Sequence, residues 1–226
     1  MNRKLEKLFV LDTNPLWIRH LVQALAKSVK VEGFRVYNAF SFPGGVRQLA
    51  GRVSRPEQVD ENWRDHWLAI PSWHRAFTIS SWLVQRRLQK VARLRGAPDA
   101  ILFTLPWYAR VAEETSRCVK AYYAHDTFRF YGWKRERIVH MEGRLLNACD
   151  LALAVASRVA EDLEGLSTCP VRYFPMATCW TPEGAKSLAT AIPADIAAIP
   201  KPRVGSVGTV CGPATDLELL HRLTSD

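Results

Sequence analysis

Residues 98–126 read PDAILFTLPWYARVAEETSRCVKAYYAHD, and this stretch decides the fold class. Ala100 to Phe103 is a short apolar run that reads as a strand. Pro106 then opens a helix predicted to reach about Arg117, since the N–H that proline lacks has no partner in a first helical turn anyway. Val119 to Ala124 is a second apolar strand, and it runs into His125 and Asp126. Strands that are apolar throughout, separated by a helix, belong to a parallel sheet covered on both faces.

The alternation continues in both directions. Upstream, Leu8 to Leu11 ends in Asp12-Thr13-Asn14-Pro15, after which Trp17, Ile18, Leu21, Val22, Leu25 and Val29 recur at helical spacing. Phe34 to Phe40 is the next strand, before a loop marked by Gly44-Gly45. Downstream, the pattern predicts a helix from about Trp133 to Ala148 and a strand over Leu151 to Val155. A helix over Arg158 to Glu164 follows, with Ser157 as its N-cap, and then a short strand from Val171 to Phe174. The fold class is therefore α/β, a doubly wound, mostly parallel Rossmann-like sheet over residues 1–175. Such sheets bind ligands outside the carboxyl ends of their strands, which singles out the turns at 12–17, 40–45, 104–107 and 125–130 and the turn at Ser157.

Residues 176–202 hold Pro182, Pro193, Pro200 and Pro202 among many alanines and read as a linker. At 203–226 the pattern restarts with a strand over Arg203 to Val207, a glycine turn from Gly208, and an amphipathic helix over Asp216 to Leu223. A single β-α unit cannot bury its own faces, so this segment reads as the start of a second, incomplete Rossmann-like domain.

With 48% apolar and 23% charged residues, the 226-residue chain is globular in composition. Its 31 Lys and Arg exceed its 22 Asp and Glu, giving a net charge of +9 that favours an anionic partner. Seven basic residues face only Asp65 between Asn62 and Gly96, so most of the excess lies in one segment. The same segment carries Trp63, Trp67, Trp73, Phe77 and Trp82, followed by Arg86, Arg87, Lys90, Arg93 and Arg95. Aromatic residues flanked by cations are what an interfacial helix uses on an anionic membrane. The competing reading puts the aromatics at 73, 77 and 82 in the core and the basic residues on a solvated face. Five cysteines without CxxC spacing argue against a disulfide framework and for a reducing, cytoplasmic setting. No apolar run approaches a signal-peptide core or a transmembrane span, so a cytoplasmic protein peripheral to the membrane is expected.

Four segments together resemble the GT-B glycosyltransferases of the family 4 (group 1) type. EGRLLNACDLALAVASRVAEDLEG (142–165) is similar to that family's Glu-bearing helix, Asp-Leu strand entry and following helix, through Glu142, Asp150, Leu151, Ser157 and Leu163. KPRVGSVGTVCGPATDLELLHRL (201–223) is similar to its entry into the carboxy-terminal domain, through Pro202, Arg203, Gly205, Gly208, Asp216, Leu219 and Leu220. YYAHDTFRFYG (122–132) resembles a strand end of the amino-terminal domain, and PLWIRHLVQALA (15–26) its first helix. The family's usual Pro-Asn-Gly turn is replaced here by Pro175-Met176-Ala177.

The resemblance implies a transferase that moves a sugar from a nucleotide-sugar donor to a lipid-linked or saccharide acceptor at a membrane. It further implies that this chain holds the acceptor-side domain and the first unit of the donor-binding domain, and that it is inactive alone. Asp126, at a strand end, is the first candidate for the base that takes the acceptor proton, and His125 the second because of its near-neutral titration. Their plainer readings are a turn cap and a backbone-bonded histidine. Asp12, Asn14, Trp17 and His20 surround the first strand-to-helix turn, which in relatives faces the cleft. Gly208 and Thr209 sit where the family's donor diphosphate approaches backbone amides. Trp73, Trp82, Arg86, Arg87, Lys90 and Arg93 are the membrane or polyanion candidates. No cofactor or metal is expected, the sugar nucleotide being a substrate. A non-catalytic basic binding protein is the alternative, although no nucleic-acid motif accompanies the charge.

Overall fold

The computed structural model describes residues 4–39, 56–130, 134–176, 194–201 and 216–225, with the single positions Val53 and Arg203. The chain divides into two compact units, Met1–Met176 and Ala177–Asp226. In the first unit the strands are β1 (Lys7–Leu11), β2 (Lys30–Asn38), β3 (Glu57–Asp60), β4 (Trp63–Ile70), β5 (Ala100–Phe103), β6 (Val119–Ala124), β7 (Leu151–Ala154) and β8 (Val171–Tyr173). They form one sheet in the order β3-β4-β2-β1-β5-β6-β7-β8, parallel except for the antiparallel edge strand β3. The helices are α1 (Leu16–Leu25), α2 (Phe77–Arg95), α3 (Ala109–Glu114), α4 (Arg135–Ala148) and α5 (Ser157–Glu164).

β1 pairs with β2 on one side and β5 on the other, so the winding of the sheet reverses between β1 and β5. Leu8 faces Ala100 and Val10 faces Leu102, a register that brings the turn after β1 level with Thr104. The Thr104 hydroxyl donates to the Leu11 carbonyl at 2.7 Å and ties the two strand ends together. A reversal point of this kind is where doubly wound sheets hold ligands.

Core packing follows the period of each element. Phe9, Leu11, Phe34, Ile70, Phe103, Tyr108 and Tyr122 are buried in the larger cluster, and Val10, Ile18, Val22 and Trp63 in a second one. Ser80, Ser81, Val84, Leu88 and Val91 are the buried face of α2, and its long solvent face carries the basic residues. Gly96 ends α2 at φ 93, a left-handed conformation open to glycine.

The sequence reading missed β3, and it took β4 as the start of a single aromatic and basic segment. The cause is chemical, because β4 is buried without being apolar. Asp65 is fully buried and accepts hydrogen bonds from Trp63 Nε1 at 2.8 Å, Thr13 Oγ1 at 3.1 Å, Arg19 at 2.8 Å and Arg35 at 2.7 Å. His66 Nε2 lies 2.7 Å from Glu32 on the other face. Asp65 and His66 thus each have a partner within the fold, as burial of polar groups requires. Trp63 and Trp67 are core residues, with Arg19 and Arg35 stacked over their rings at 4.7 and 4.9 Å.

Gly33 pairs with Asp65 across β2 and β4. A β-carbon at position 33 would lie 2.2 Å from Asp65 Oδ1 and 3.0 Å from Thr13 Cγ2. Because four donors hold the carboxylate, it cannot step aside. Gly33→Ala is therefore expected to cost about 3 kcal/mol, the upper part of the range for overpacked cores, and urea unfolding measures it.

Other boundaries shift for local reasons. The helix expected from Pro106 to about Arg117 begins as a 3₁₀ turn, Pro106–Tyr108, and α3 ends at Glu114. Arg117 takes φ 70 in the turn before β6. Ser157 is the first residue of α5, not its cap, and Ala156 occupies the cap position without a side-chain hydrogen bond. The loop at Gly44-Gly45, the start of the fourth helix at Trp133 and, beyond Arg203 itself, the strand expected over Arg203 to Val207 lie outside the described residues. In the second unit the described helices are α6 (Ala194–Ala197) and α7 (Leu217–Ser225), the latter capped by Asp216, whose carboxylate accepts the Leu219 N–H at 2.9 Å. Among the described residues no helix is long and apolar enough to cross a membrane.

Candidate functional site

The turn after β1 is drawn tight by backbone bonds from the Asp12 and Thr13 N–H groups to the Phe34 carbonyl, at 2.9 and 3.1 Å. Asp12 takes φ 66, a conformation that costs a non-glycine residue strain and recurs at functional turns. Its carboxyl is buried, and Asn14 Nδ2 donates to it at 2.6 Å while also donating to the Val36 carbonyl at 2.8 Å. Burial pushes the Asp12 pKa up to about 7, with the Asn14 hydrogen bonds pulling in the opposite direction. Tyr108, in the turn after β5, is fully buried and close enough to Asp12 for that charge to add to the upward shift of its phenol, which burial dominates.

His125 continues β6 beyond its pairing with β7. Trp17, on the first turn of α1, donates its indole N–H to His125 Nδ1 at 3.2 Å, with the rings 5.8 Å apart. An indole can only donate, so Nδ1 is the accepting nitrogen and the ring proton sits on Nε2. Burial lowers the His125 pKa to about 4, against the opposing effects of the Asp126 charge and nearby carbonyls. The imidazole is thus neutral at physiological pH and presents an N–H.

Of the six buried side-chain atoms among the described residues that lack a hydrogen-bond partner, three belong here: Asn14 Oδ1, Tyr108 OH and His125 Nε2. Native structures leave few such atoms, and these three follow the carboxyl ends of β1, β5 and β6, the edge where doubly wound sheets hold ligands. Tyr108 carried no signal in the sequence beyond its place after a strand, because an aromatic in an apolar run reads as core.

The other candidates are dispersed. Asp126 is half-buried, and its carboxylate accepts the Thr127 N–H at 2.7 Å. His20 is exposed one turn beyond Trp17 on α1. Gly208 and Thr209 lie outside the described residues. Trp73 departs from the membrane assignment, since it packs edge-on against Tyr108 at 5.3 Å and near Phe77 at 6.2 Å beside the core. Trp82 is 51% exposed with the Arg86 guanidinium 4.7 Å over its ring. Lys90 and Arg93 are exposed on the same helix, while Arg87 is half-buried and donates to the Val53 carbonyl at 3.3 Å. Among the described residues no group of three or more His, Cys, Asp or Glu side chains is placed to hold a metal ion.

Comparison with solved structures shows the GT-B fold. A sucrose-phosphate synthase from Thermosynechococcus elongatus matches with a TM-score of 0.57 at 13% identity, over 80% of this chain and 95% of that one. A UDP-glucosyltransferase from Polygonum tinctorium capable of glucosylating indoxyl matches with a TM-score of 0.52 at 8% identity. That match covers 87% of this chain but only 57% of the glucosyltransferase. No protein-family model matches the chain, and no curated protein matches it in sequence.

Proposed function

We propose that this chain forms the acceptor side of a GT-B glycosyltransferase that moves a sugar from a nucleotide sugar to a saccharide or lipid-linked acceptor. The observation that carries the reading is the group of polar atoms without partners and shifted ionisable groups at the β1/β5 edge, in a fold shared with a glucosyltransferase. In the transfer, the acceptor oxygen bonds to the anomeric carbon as the bond from that carbon to the diphosphate oxygen breaks. The nucleoside diphosphate leaves with the bonding pair, and the acceptor proton passes to a protein base. His125 does not suit that base, because Nε2 already carries a proton and Nδ1 is occupied by Trp17. It suits a donor to an acceptor or sugar oxygen.

Two carboxyls remain, Asp126 and Asp12. Asp12 matches the task better, since a base titrating near the working pH is the most effective. Asp12→Asn is expected to lower transfer by about 10²–10⁴-fold, the usual worth of a positioned base, and Asp126→Asn by less. Steady-state kinetics of the two variants decide the matter, and the reverse order assigns the proton to Asp126.

The face of α2 favours an acceptor presented at an anionic surface. Ile79 and Trp82 are exposed on it, Arg86, Lys90 and Arg93 follow at helical spacing, and the helix contains no acidic residue. The reading as a whole is tested by calorimetric titration with nucleoside diphosphates and sugar nucleotides, on this chain and on a version extended through a second Rossmann-like domain. Binding by the extended protein supports it, and a folded extended protein that binds none of them contradicts it.

A further inference from the structure

We propose that the cavity between α2 and β4 binds a terminal phosphate group, the dianion of a phosphate monoester, with Arg87 as its anchor. As part of an acceptor site this rests on the reading of α2 given above. The cavity itself follows from the charges that line it.

The cavity has a volume of about 500 Å³. Arg86, Arg87, Lys90 and Arg93 line it from α2, and Leu68 of β4 and Leu83 form its apolar side. Lys90 lies three or four residues from each of the other three cations, so the group shares one helix face and repels itself. Among the described residues none of the four forms an ion pair. The carboxylates that reach α2 are engaged elsewhere. Glu32 lies 2.7 Å from His66 and 3.5 Å from Arg95, and Glu114, whose carbonyl accepts from Gln85, pairs with Arg110 at 2.7 Å. Neither α2 nor the stretch 40–55 around Val53 contains an Asp or Glu.

Arg87 makes the need for an anion specific. It is half-buried, its Nη2 donates to the Val53 carbonyl at 3.3 Å, and its Nε is buried without a partner. Burial lowers its pKa, the direction expected when a cation is taken from water. A guanidinium in that position is costly unless paired, and the surrounding chain supplies only more positive charge.

The lining selects the ligand. The edge of a guanidinium offers parallel N–H donors that match two phosphate oxygens, and four cations favour a double charge over a single carboxylate. Because Nε is recessed, the anion must enter the cavity as an end group, which excludes a phosphodiester with polymer on both sides. Leu68 and Leu83 suit the carbon skeleton of the ester. A soluble phosphate monoester and a lipid whose headgroup is a bare phosphate offer the same chemistry.

The test uses the 226-residue chain with inorganic phosphate and glycerol 3-phosphate as soluble probes, at ionic strength held constant with chloride. Phosphatidylcholine vesicles carrying either phosphatidic acid or phosphatidylglycerol form the lipid arm. The expected result is one-to-one calorimetric binding of a soluble probe, or, for the lipid source, retention by phosphatidic acid in preference to phosphatidylglycerol, with a shift of the Arg87 Nε–H resonance in either case. Arg87→Gln is expected to weaken binding by about 10–100-fold, and Arg87→Lys, which keeps the charge without the fork, by less. In phosphate-free buffer Arg87→Gln should melt at or above the wild-type temperature, and added phosphate should raise only the wild type. Arg87→Lys carries the same comparison if the glutamine variant does not fold. The proposal is overturned if neither a soluble probe nor a vesicle binds, if the two anionic lipids bind alike, or if Arg87→Gln lowers the melting temperature while keeping wild-type affinity. Failure of the transferase reading is distinguishable, because phosphate binding here with no nucleotide-sugar binding by the extended protein removes the transferase and leaves the cavity.

Discussion

At pH 8, Asp12→Asn is expected to stabilise the protein by as much as about 4 kcal/mol, and at pH 4 to change it by almost nothing. The sign follows from proton counting. Asp12 titrates at about 7 when folded and at its ordinary 3.8 when unfolded, so between those values the folded state holds more protons. Stability contributed by this group is therefore intact below pH 4, falls as pH rises, and reaches its full loss above pH 7. Asparagine keeps the shape and the oxygen that Asn14 bonds, without the charge that burial penalises. His125 acts with the opposite slope, because its folded pKa of about 4 lies below the ordinary 6.5 and stability is lost as pH falls through that window. In the wild type the two slopes offset one another between pH 4 and 6.5. Removing Asp12 should expose a profile that rises over that interval. Urea midpoints of wild type and variant across pH isolate the Asp12 contribution, and a difference that did not vary with pH would refute it. A carboxyl that makes the fold less stable at neutral pH, at the edge where ligands bind, is what a functional site looks like when its groups serve something other than the fold.

Asp65→Ala is the second large effect, with an expected loss of about 3–5 kcal/mol, because it leaves the Arg19 and Arg35 guanidiniums and two further donors without their acceptor. That figure measures a broken network, not the net worth of the ion pairs. Replacing Arg19, Asp65 and Arg35 together by apolar residues is expected to recover most of the loss, since no charge is then stranded. Urea unfolding of the single and triple variants separates the two cases, and a triple variant as unstable as the single one would contradict the argument. The consequence reaches the site, because the Thr13 hydroxyl bonded to Asp65 sits between Asp12 and Asn14 in the turn after β1.

What the sequence revealed followed the physics of each element. β1, β5, β6 and β7 were legible because each runs into a mostly apolar, buried stretch towards its carboxyl end, and that alternation with helices was enough for the doubly wound class. β4 was not legible because the partners of Asp65 and His66 lie on β2 and α1, distant in sequence, and no period within WRDHWLAI records them. The aromatic segment split for the same reason: Trp63 and Trp67 face the core through sheet pairing, Trp73 packs against Tyr108, and Trp82 is exposed on α2. At the site, strand-end position picked out Asp12, Asn14, Trp17 and His125. The bond from Trp17 to His125, which fixes the histidine as a donor, depends on α1 lying across two strand ends and could not be read from spacing. Nor could Tyr108, whose hydroxyl matters only because nothing in the fold meets it.

The claim at the centre of this account is that substrate occupies the carboxyl edge of β1, β5 and β6. Mapping of amide and ring chemical shifts in the ¹⁵N-labelled chain, titrated with free monosaccharides and sugar nucleotides, tests it most directly. The account predicts saturable shifts centred on Asp12, Asn14, Trp17, Tyr108 and His125. Saturable binding whose shifts fell elsewhere, at the lysine-rich opposite edge around Lys4, Lys7, Lys27 and Lys30 for example, with these five residues unmoved, would contradict it.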